Sequence, residues 1–206
     1  MSLHLIDHPL AHHALTELRD VRTAPPEFRR AATRISLLLA AEALRSVHTV
    51  VTTVTTPLGP ADGRVVRSDI VVVPVLRAGL SMVDAVLQLV PSARVGHIGL
   101  QRDETTAVAS RYYSKLPPDI GDSYVLMVDP MLATGGSSAA AIDLVKAAGA
   151  RSIALVCVIS APEGVAFLQR THPDVDIYTP VVDRELNAHK FIVPGLGDFG
   201  DRLYGT

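Results

Sequence analysis

The chain has 206 residues, 48% of them hydrophobic and 19% charged, a balance that describes one domain with a sizeable core and excludes a disordered tail. The formal charge of −2 argues against a general nucleic-acid or membrane-surface binder, because such proteins carry a basic excess. A single cysteine, Cys157, excludes a disulfide within the chain.

The start, MSLHLIDHPL, lacks the basic stretch and apolar run of a secretory signal, so a cytoplasmic protein is expected. Residues 26–46, PEFRRAATRISLLLAAEALRS, carry apolar groups at helical spacing with Pro26 near the start, which predicts a long helix. Its apolar run is broken by Glu42 and is shorter than the roughly 20 residues that cross a bilayer. A turn-rich stretch around PLGPADG follows. Then come short aliphatic runs: DIVVVPVL, ARVGHIGL, SYVLMVD, SIALVCVIS and VDIYTPVV. Helix-like segments at 79–90, 137–148 and 162–171 separate several of them. Near-continuous apolar strands alternating with helices predict an α/β fold with a mainly parallel central sheet covered by helices on both faces. Cys157 falls inside one of these strands and reads as a small core residue, and the eight histidines show no zinc-ligand spacing.

Residues 101–122, QRDETTAVASRYYSKLPPDIGD, interrupt the alternation with a long polar segment between two apolar strands. A connection of this length in a compact domain is expected to act as a binding arm rather than a plain connector.

The strongest chemical signal is VLMVDPMLATGGSS, residues 125–138. A hydrophobic strand ends on Asp129, a short loop follows, and a helix is predicted to begin near Ser137. Ligands of open α/β sheets bind beyond the carboxyl ends of strands, where Asp129 stands. Thr134, Gly135, Gly136 and Ser137 offer hydroxyls and unobstructed N–H groups at a helix N-terminus, a cup for one phosphate. No lysine follows the glycines, so this is not a Walker A loop. A carboxylate beside a phosphate cup suits a sugar phosphate, since it can accept from two neighbouring ribose hydroxyls.

The tail, PGLGDFGDRLYGT, contains a literal G-x-G-x-x-G at Gly195, Gly197 and Gly200. That fingerprint needs a following helix, a second strand and an acid about 20 residues on. The few residues after Gly200 cannot supply them, so the glycines answer some other demand.

VDPMLATGGS resembles the phosphoribosyl-diphosphate loop of type I phosphoribosyltransferases, and the single acid followed by proline, Asp129-Pro130, resembles that of the uracil phosphoribosyltransferase family in particular. The resemblance extends through HPLAHHALTELRD, FRRAATRISLLLAAEA, PVLRAGLSMVD, RDETT, APEGV and LNAHKFIVPGLGDFGDRLYGT. It implies the type I fold in a single domain: a helical N-terminal part at 1–46, a flexible arm at about 101–122, and a base-binding hood at about 183–206. It also implies transfer of the phosphoribosyl group from 5-phosphoribosyl 1-diphosphate to uracil, giving UMP and diphosphate in pyrimidine salvage, with Mg2+ on the diphosphate. By the same resemblance, catalysis rests on Arg77, Arg102, Asp129 and Asp198. Asp129, Pro130, Met131, Leu132, Ala133, Thr134, Gly135, Gly136 and Ser137 hold the ribose 5-phosphate, and Arg77, Arg102 and Asp198 lie at the diphosphate side. Ile192, Gly197, Asp198 and Phe199 face uracil, mainly through backbone groups that glycines allow to approach a flat ring. Asp198 can serve either as proton acceptor or in holding the glycine loop. The family is oligomeric, some members respond to GTP or CTP, and the long N-terminal helix is a candidate interface element.

Two positions depart from the family pattern. Phe199 replaces a common alanine, with the ring expected to point outward, and Gln101 replaces a common tyrosine. Rival readings are an RNA-binding pyrimidine regulator, which Asp129-Pro130 and the net charge disfavour, and a silent nucleotide sensor, which intact Arg77, Arg102, Asp129 and Asp198 disfavour. Hypoxanthine and orotate remain alternative bases.

Overall fold

The computed structural model describes residues 2–102 and 109–206, with the backbone alone at 101, 102 and 109–111. Strand β1 (Leu3–Leu5) opens the chain, followed by helices α1 (Pro9–Arg19) and α2 (Pro25–Ala43). Strands β2 (Thr49–Thr56), β3 (Gly59–Val66) and β4 (Ile70–Leu76) lead to α3 (Leu80–Leu89). Next are β5 (Arg94–Val95), β6 (His97–Arg102), β7 (Ala109–Lys115), β8 (Tyr124–Val128) and β9 (Met131–Leu132). Helix α4 (Gly136–Ala147) precedes β10 (Ser152–Val156) and β11 (Ile159–Ser160), and α5 (Pro162–Thr171) precedes β12 (Asp176–Thr179). The chain closes with β13 (Glu185–Leu186), β14 (Ile192–Val193) and α6 (Phe199–Tyr204).

Local chemistry sets the helix starts. Proline occupies the first turn of α1, α2 and α5, where its missing N–H costs nothing. His8 adds a side-chain cap to α1, Nδ1 accepting from the Leu10 N–H at 3.1 Å.

The main sheet runs β1-β12-β10-β8-β4-β6-β7, with β5 also on β4. Its pairs are parallel except β6 with β7. Alternate residues of the central strands enter two cores. Val72, Leu126, Val128, Ala154 and Val156 meet α1, α2 and α3 on one face. Val71, Val73, Val125, Met127 and Leu155 meet α4 and α5 on the other. Each such valine, leucine or methionine contributes about 1.5–3 kcal/mol of transfer free energy, which explains why the strands are apolar on both faces. Parallel alignment also brings the carboxyl ends of β4, β8, β10 and β12 to one edge, and the site develops there.

Some expectations are corrected. The turn-rich region is a hairpin of two eight-residue strands, β2 and β3, paired from Thr49↔Val66 to Thr56↔Gly59. Glycine and proline within β3 mask its strand character, and the turn itself is Pro57-Leu58. The first 46 residues are not wholly helical, since β1 extends the main sheet beside β12. Helix α2 ends at Ala43 and tightens into a 3-10 turn over Leu44–Ser46. Its apolar face, including Ile35, Leu39 and Ala43, is buried within the chain. The runs ARVGHIGL and SIALVCVIS each break into two short strands. Of the arm at 101–122, β7 forms the returning strand, while residues 103–108 lie outside the described residues. Among the described residues, no helix is long and apolar enough to cross a membrane.

Candidate active site

Two strand ends carry the central cleft. β4 finishes at Leu76, and Arg77 follows as an exposed residue joined to it by a cis peptide bond. Among the described residues, no ion pair engages the Arg77 guanidinium. Neighbouring β8 finishes at Val128, and the Asp129 N–H donates to the Val156 carbonyl at 3.1 Å, continuing the ladder to β10.

The loop after Asp129 is tied down on its inner side. The Pro130 carbonyl accepts from the N–H groups of Val158 and Ile159, both at 3.0 Å. β9 pairs in parallel with β11, and the Ala161 N–H donates to the Leu132 carbonyl at 2.8 Å. The outer side turns into α4 one residue earlier than the predicted Ser137. Gly135, at φ 83°, is the N-cap, and its carbonyl accepts from the Ala139 N–H at 2.8 Å. The left-handed Gly135 opens α4, whose first N–H groups favour an anion electrostatically; the Gly136 N–H donates to Thr134 Oγ1 at 3.5 Å. Asp129 Oδ1 accepts from the Met131 N–H at 3.3 Å, within the same loop.

The result is a cleft of about 250 Å³ lined by Arg77, Leu100, Asp129, Met131, Ala133, Gly135 and Ser137, together with Ser138, which the sequence reading did not single out. Pro130 and Leu132 turn inward, and the Leu132 side chain is fully buried in the core. Thr134 lines a neighbouring hollow of about 450 Å³ with Glu163, Phe167, Arg170 and Lys190. The backbone of Arg102 ends β6, while its side chain lies outside the described residues. A larger hollow of about 890 Å³ beside α1 and α2 is remote from these strand ends. Its arginines Arg22, Arg30 and Arg34 are matched by Asp20, Glu27 and Glu17.

The hood is a second group of residues. β13 and β14 pair antiparallel, the chain passes a cis Val193-Pro194 bond, and Gly195 to Asp198 lead into α6. Gly197 and Asp198 are exposed, whereas the Ile192 side chain is buried. Asp198 is the N-cap of α6, its Oδ1 accepting from the Asp201 N–H at 2.9 Å. Phe199 does not point outward: it is 1% exposed and meets Phe28 edge-to-face, ring centroids 5.1 Å apart. An apolar ring beside the α2 core is buried by the hydrophobic effect, so the substitution at this position builds core. The hood residues do not line the 250 Å³ cleft. The two sets approach where the Tyr204 hydroxyl of α6 lies 3.5 Å from the Arg77 carbonyl.

Cys157 lies fully buried next to β10, and burial, reinforced by the Asp129 charge, pushes its thiol well above the ordinary range. It has neither the access nor the ionisation of a nucleophile. Among the described residues, no group of three potential ligands could hold a metal ion.

Three contributions had little signal in the sequence. Gly164, inside APEGV, packs its backbone against the loop at Leu132 and Ala133. Tyr204 reaches the Arg77 strand end. Arg19 and Asp183 form an ion pair beneath the hood. All three depend on tertiary approach between segments distant in sequence.

A uracil phosphoribosyltransferase of Dictyoglomus thermophilum is 54% identical over 203 residues, covering 98% of each chain. The solved structure of the AQ2163 protein from Aquifex aeolicus superposes with a TM-score of 0.94 at 35% identity, covering 100% of this chain and 99% of that one. A hypoxanthine-guanine phosphoribosyltransferase of Bacillus anthracis shares the fold alone, with a TM-score of 0.53 at 14% identity over 77% of this chain and 80% of its own. The family model described as uracil phosphoribosyltransferase matches residues 5–206, and the chain belongs to the uracil phosphoribosyltransferase family.

Proposed function

We infer that the chain transfers the 5-phosphoribosyl group of 5-phosphoribosyl 1-diphosphate to uracil N1, giving UMP and diphosphate. The observation that carries the chemistry is the meeting of Arg77 with the Asp129-to-Ser137 loop in one cleft at the carboxyl edge of the sheet. The uracil assignment draws on the relatives at about half identity.

In this reading the α4 N-terminus and the loop amides hold the ribose 5-phosphate, and Asp129 accepts hydrogen bonds from the ribose hydroxyls. Arg77 takes the diphosphate, where a planar guanidinium can bridge two oxygens and offset the charge that grows on the leaving group. Arg102 is the second diphosphate cation, brought in by the arm. The C1–O bond breaks towards an oxocarbenium-like state while N1 of the base closes on C1, so positioning and electrostatics supply the rate without a covalent nucleophile. The backbone around Ile192, Gly197, Asp198 and Phe199 reads the base edge.

Among the described residues, Asp129 is the one carboxylate lining the cleft, which suits magnesium carried by diphosphate oxygens and water rather than by a protein cage. Bound in that way, the metal supplies further neutralisation of the leaving diphosphate. A homo-oligomer also belongs to this reading, and with the α2 face buried, its surface is sought on the hairpin, where Val51, Val54, Leu58, Val65 and Val66 are exposed. Sedimentation of the protein with Val51 and Val65 changed to serine tests this.

The deciding experiment follows diphosphate release from 5-phosphoribosyl 1-diphosphate and magnesium with uracil, 5-fluorouracil, hypoxanthine and orotate offered separately. Release with uracil, strongly reduced in Asp129→Asn, is expected. Release only with another base overturns the base assignment, and silence with all four overturns the enzymatic reading. GTP added at sub-saturating phosphoribosyl diphosphate tests activation in the same assay.

A further inference from the structure

Beneath the hood lies an ion pair whose hydrogen bonds converge on one peptide segment. Asp183, its side chain 4% exposed, receives both arms of the Arg19 guanidinium: Nη1 donates to Oδ2 at 2.9 Å and Nη2 to Oδ1 at 2.6 Å. The same Oδ2 accepts from the Gly195 N–H at 2.8 Å, and the same Nη1 donates to the Gly195 carbonyl at 2.9 Å. Both polar atoms of Gly195 are therefore held by one bidentate pair. Gly195 has φ 63°, and a Cβ there would stand 2.1 Å from the Ile192 carbonyl oxygen, so the conformation admits glycine alone.

The next carbonyl is held as well. Arg202 Nη1 donates to Leu196 O at 2.8 Å and Nη2 to Asp20 O at 2.6 Å, with a further bond from Nη1 to Leu18 O. Its guanidinium lies 4.5 Å from the centroid of the Phe28 ring. The hood is thereby fastened to the C-terminal end of α1. At Gly197 this pattern stops. Among the described residues, neither its N–H nor its carbonyl makes a hydrogen bond, and the residue is exposed.

We propose that Arg19 and Asp183 are positioning residues for base recognition, holding Gly195 in the conformation that leaves the Gly197 main chain open to the base. The proposal rests on the reading of the hood as the uracil site. A bidentate, largely buried pair suits this task, because it fixes direction as well as distance. A lysine at position 19 keeps the charge but cannot hold both carboxylate oxygens and a carbonyl at once.

The test compares Arg19→Lys and Asp183→Asn with the unaltered protein, measuring KM for uracil, KM for phosphoribosyl diphosphate, kcat and melting temperature. A rise of at least tenfold in KM for uracil is expected, with KM for phosphoribosyl diphosphate within twofold. A purely structural pair would lower melting temperature and the active fraction without separating the two KM values, and that outcome overturns the proposal. Hydrogen exchange on the unaltered protein decides independently, whether or not the variants fold. A slowly exchanging Gly195 amide beside a rapidly exchanging Gly197 amide, slowed when uracil and phosphate-bearing substrate are present, is expected. A rapidly exchanging Gly195 amide overturns the clamp. Failure of the hood reading itself looks different, for then Gly197→Ala leaves KM for uracil unchanged in an active enzyme.

Discussion

Gly164 and Ala133 approach so closely that no side chain fits between them. A Cβ on Gly164 would lie 2.4 Å from the Ala133 carbonyl oxygen and 3.0 Å from Leu132 Cγ. The first turn of α5 thus supports the Asp129-to-Ser137 loop, and Gly164→Ala should push the loop into the cleft. Overpacking of this kind costs about 1–3 kcal/mol, and a displacement near 1 Å at a reacting centre can cost ~100-fold in rate. The expected result is a KM for phosphoribosyl diphosphate raised at least about tenfold, with a smaller change for uracil. Steady-state kinetics with each substrate varied, beside thermal melting, checks both parts.

Asp129→Asn keeps the size of the side chain but removes its charge and one acceptor. Hydrogen bonds to a charged group are worth about 1.5–3 kcal/mol, so kcat/KM for phosphoribosyl diphosphate should fall by roughly 10- to 150-fold. Asp129 lies at the cleft surface and its Oδ1 bond to the Met131 N–H, at 3.3 Å, survives in the amide. A variant that melts early while retaining its rate would remove Asp129 from the ribose.

How far the sequence was readable depended on the range of the interactions involved. The strands around Val71 and Val125 announce themselves because both their faces meet helices, leaving continuous apolar runs. Asp129 and the glycines after it are legible because the strand end, the loop and the helix start are contiguous. The β2–β3 hairpin was obscured by Gly59, Pro60 and Gly63 lying inside a strand, where they usually mark turns. The burial of Phe199 is not legible locally because its partner, Phe28, is 171 positions away in the chain. The Arg19–Asp183 pair was likewise hidden by a separation of 164 residues.

Phe199→Leu separates packing from recognition. The ring is buried against Phe28 in an edge-to-face contact, and aromatic pairs add about 0.5–1.5 kcal/mol beyond their buried area. Loss of stability in chemical denaturation is expected, while the ratio of kcat/KM for uracil over 5-fluorouracil stays within about twofold, less than the ~1 kcal/mol that a pocket methylene confers. A tenfold change in that ratio with unchanged stability would place the ring in the base pocket.

His172 supplies a pH dependence unconnected with the cleft. Its side chain is 4% exposed at the end of α5, with Lys146 Nζ 3.3 Å from Nδ1. Asp143 lies 3.8 Å from Nε2, and Asp174 pairs with Lys146 at 2.6 Å. Burial, assisted by the Lys146 charge and opposed by Asp143 and Asp174, lowers the imidazole pKa below its ordinary 6.5. The unfolded chain consequently binds this proton more readily than the folded one. Stability from the neutral ring is fully present above about pH 6.5 and is lost as pH falls through the lower folded value. Melting temperature should decline from pH 7 towards pH 5, and His172→Leu should flatten that slope, with kcat at neutral pH unchanged. An identical slope in the variant would assign the acid sensitivity between pH 7 and pH 5 to other groups; Asp183, whose carboxyl Arg19 and the Gly195 N–H hold below its ordinary value against the opposing effect of burial, gives up its contribution only at lower pH.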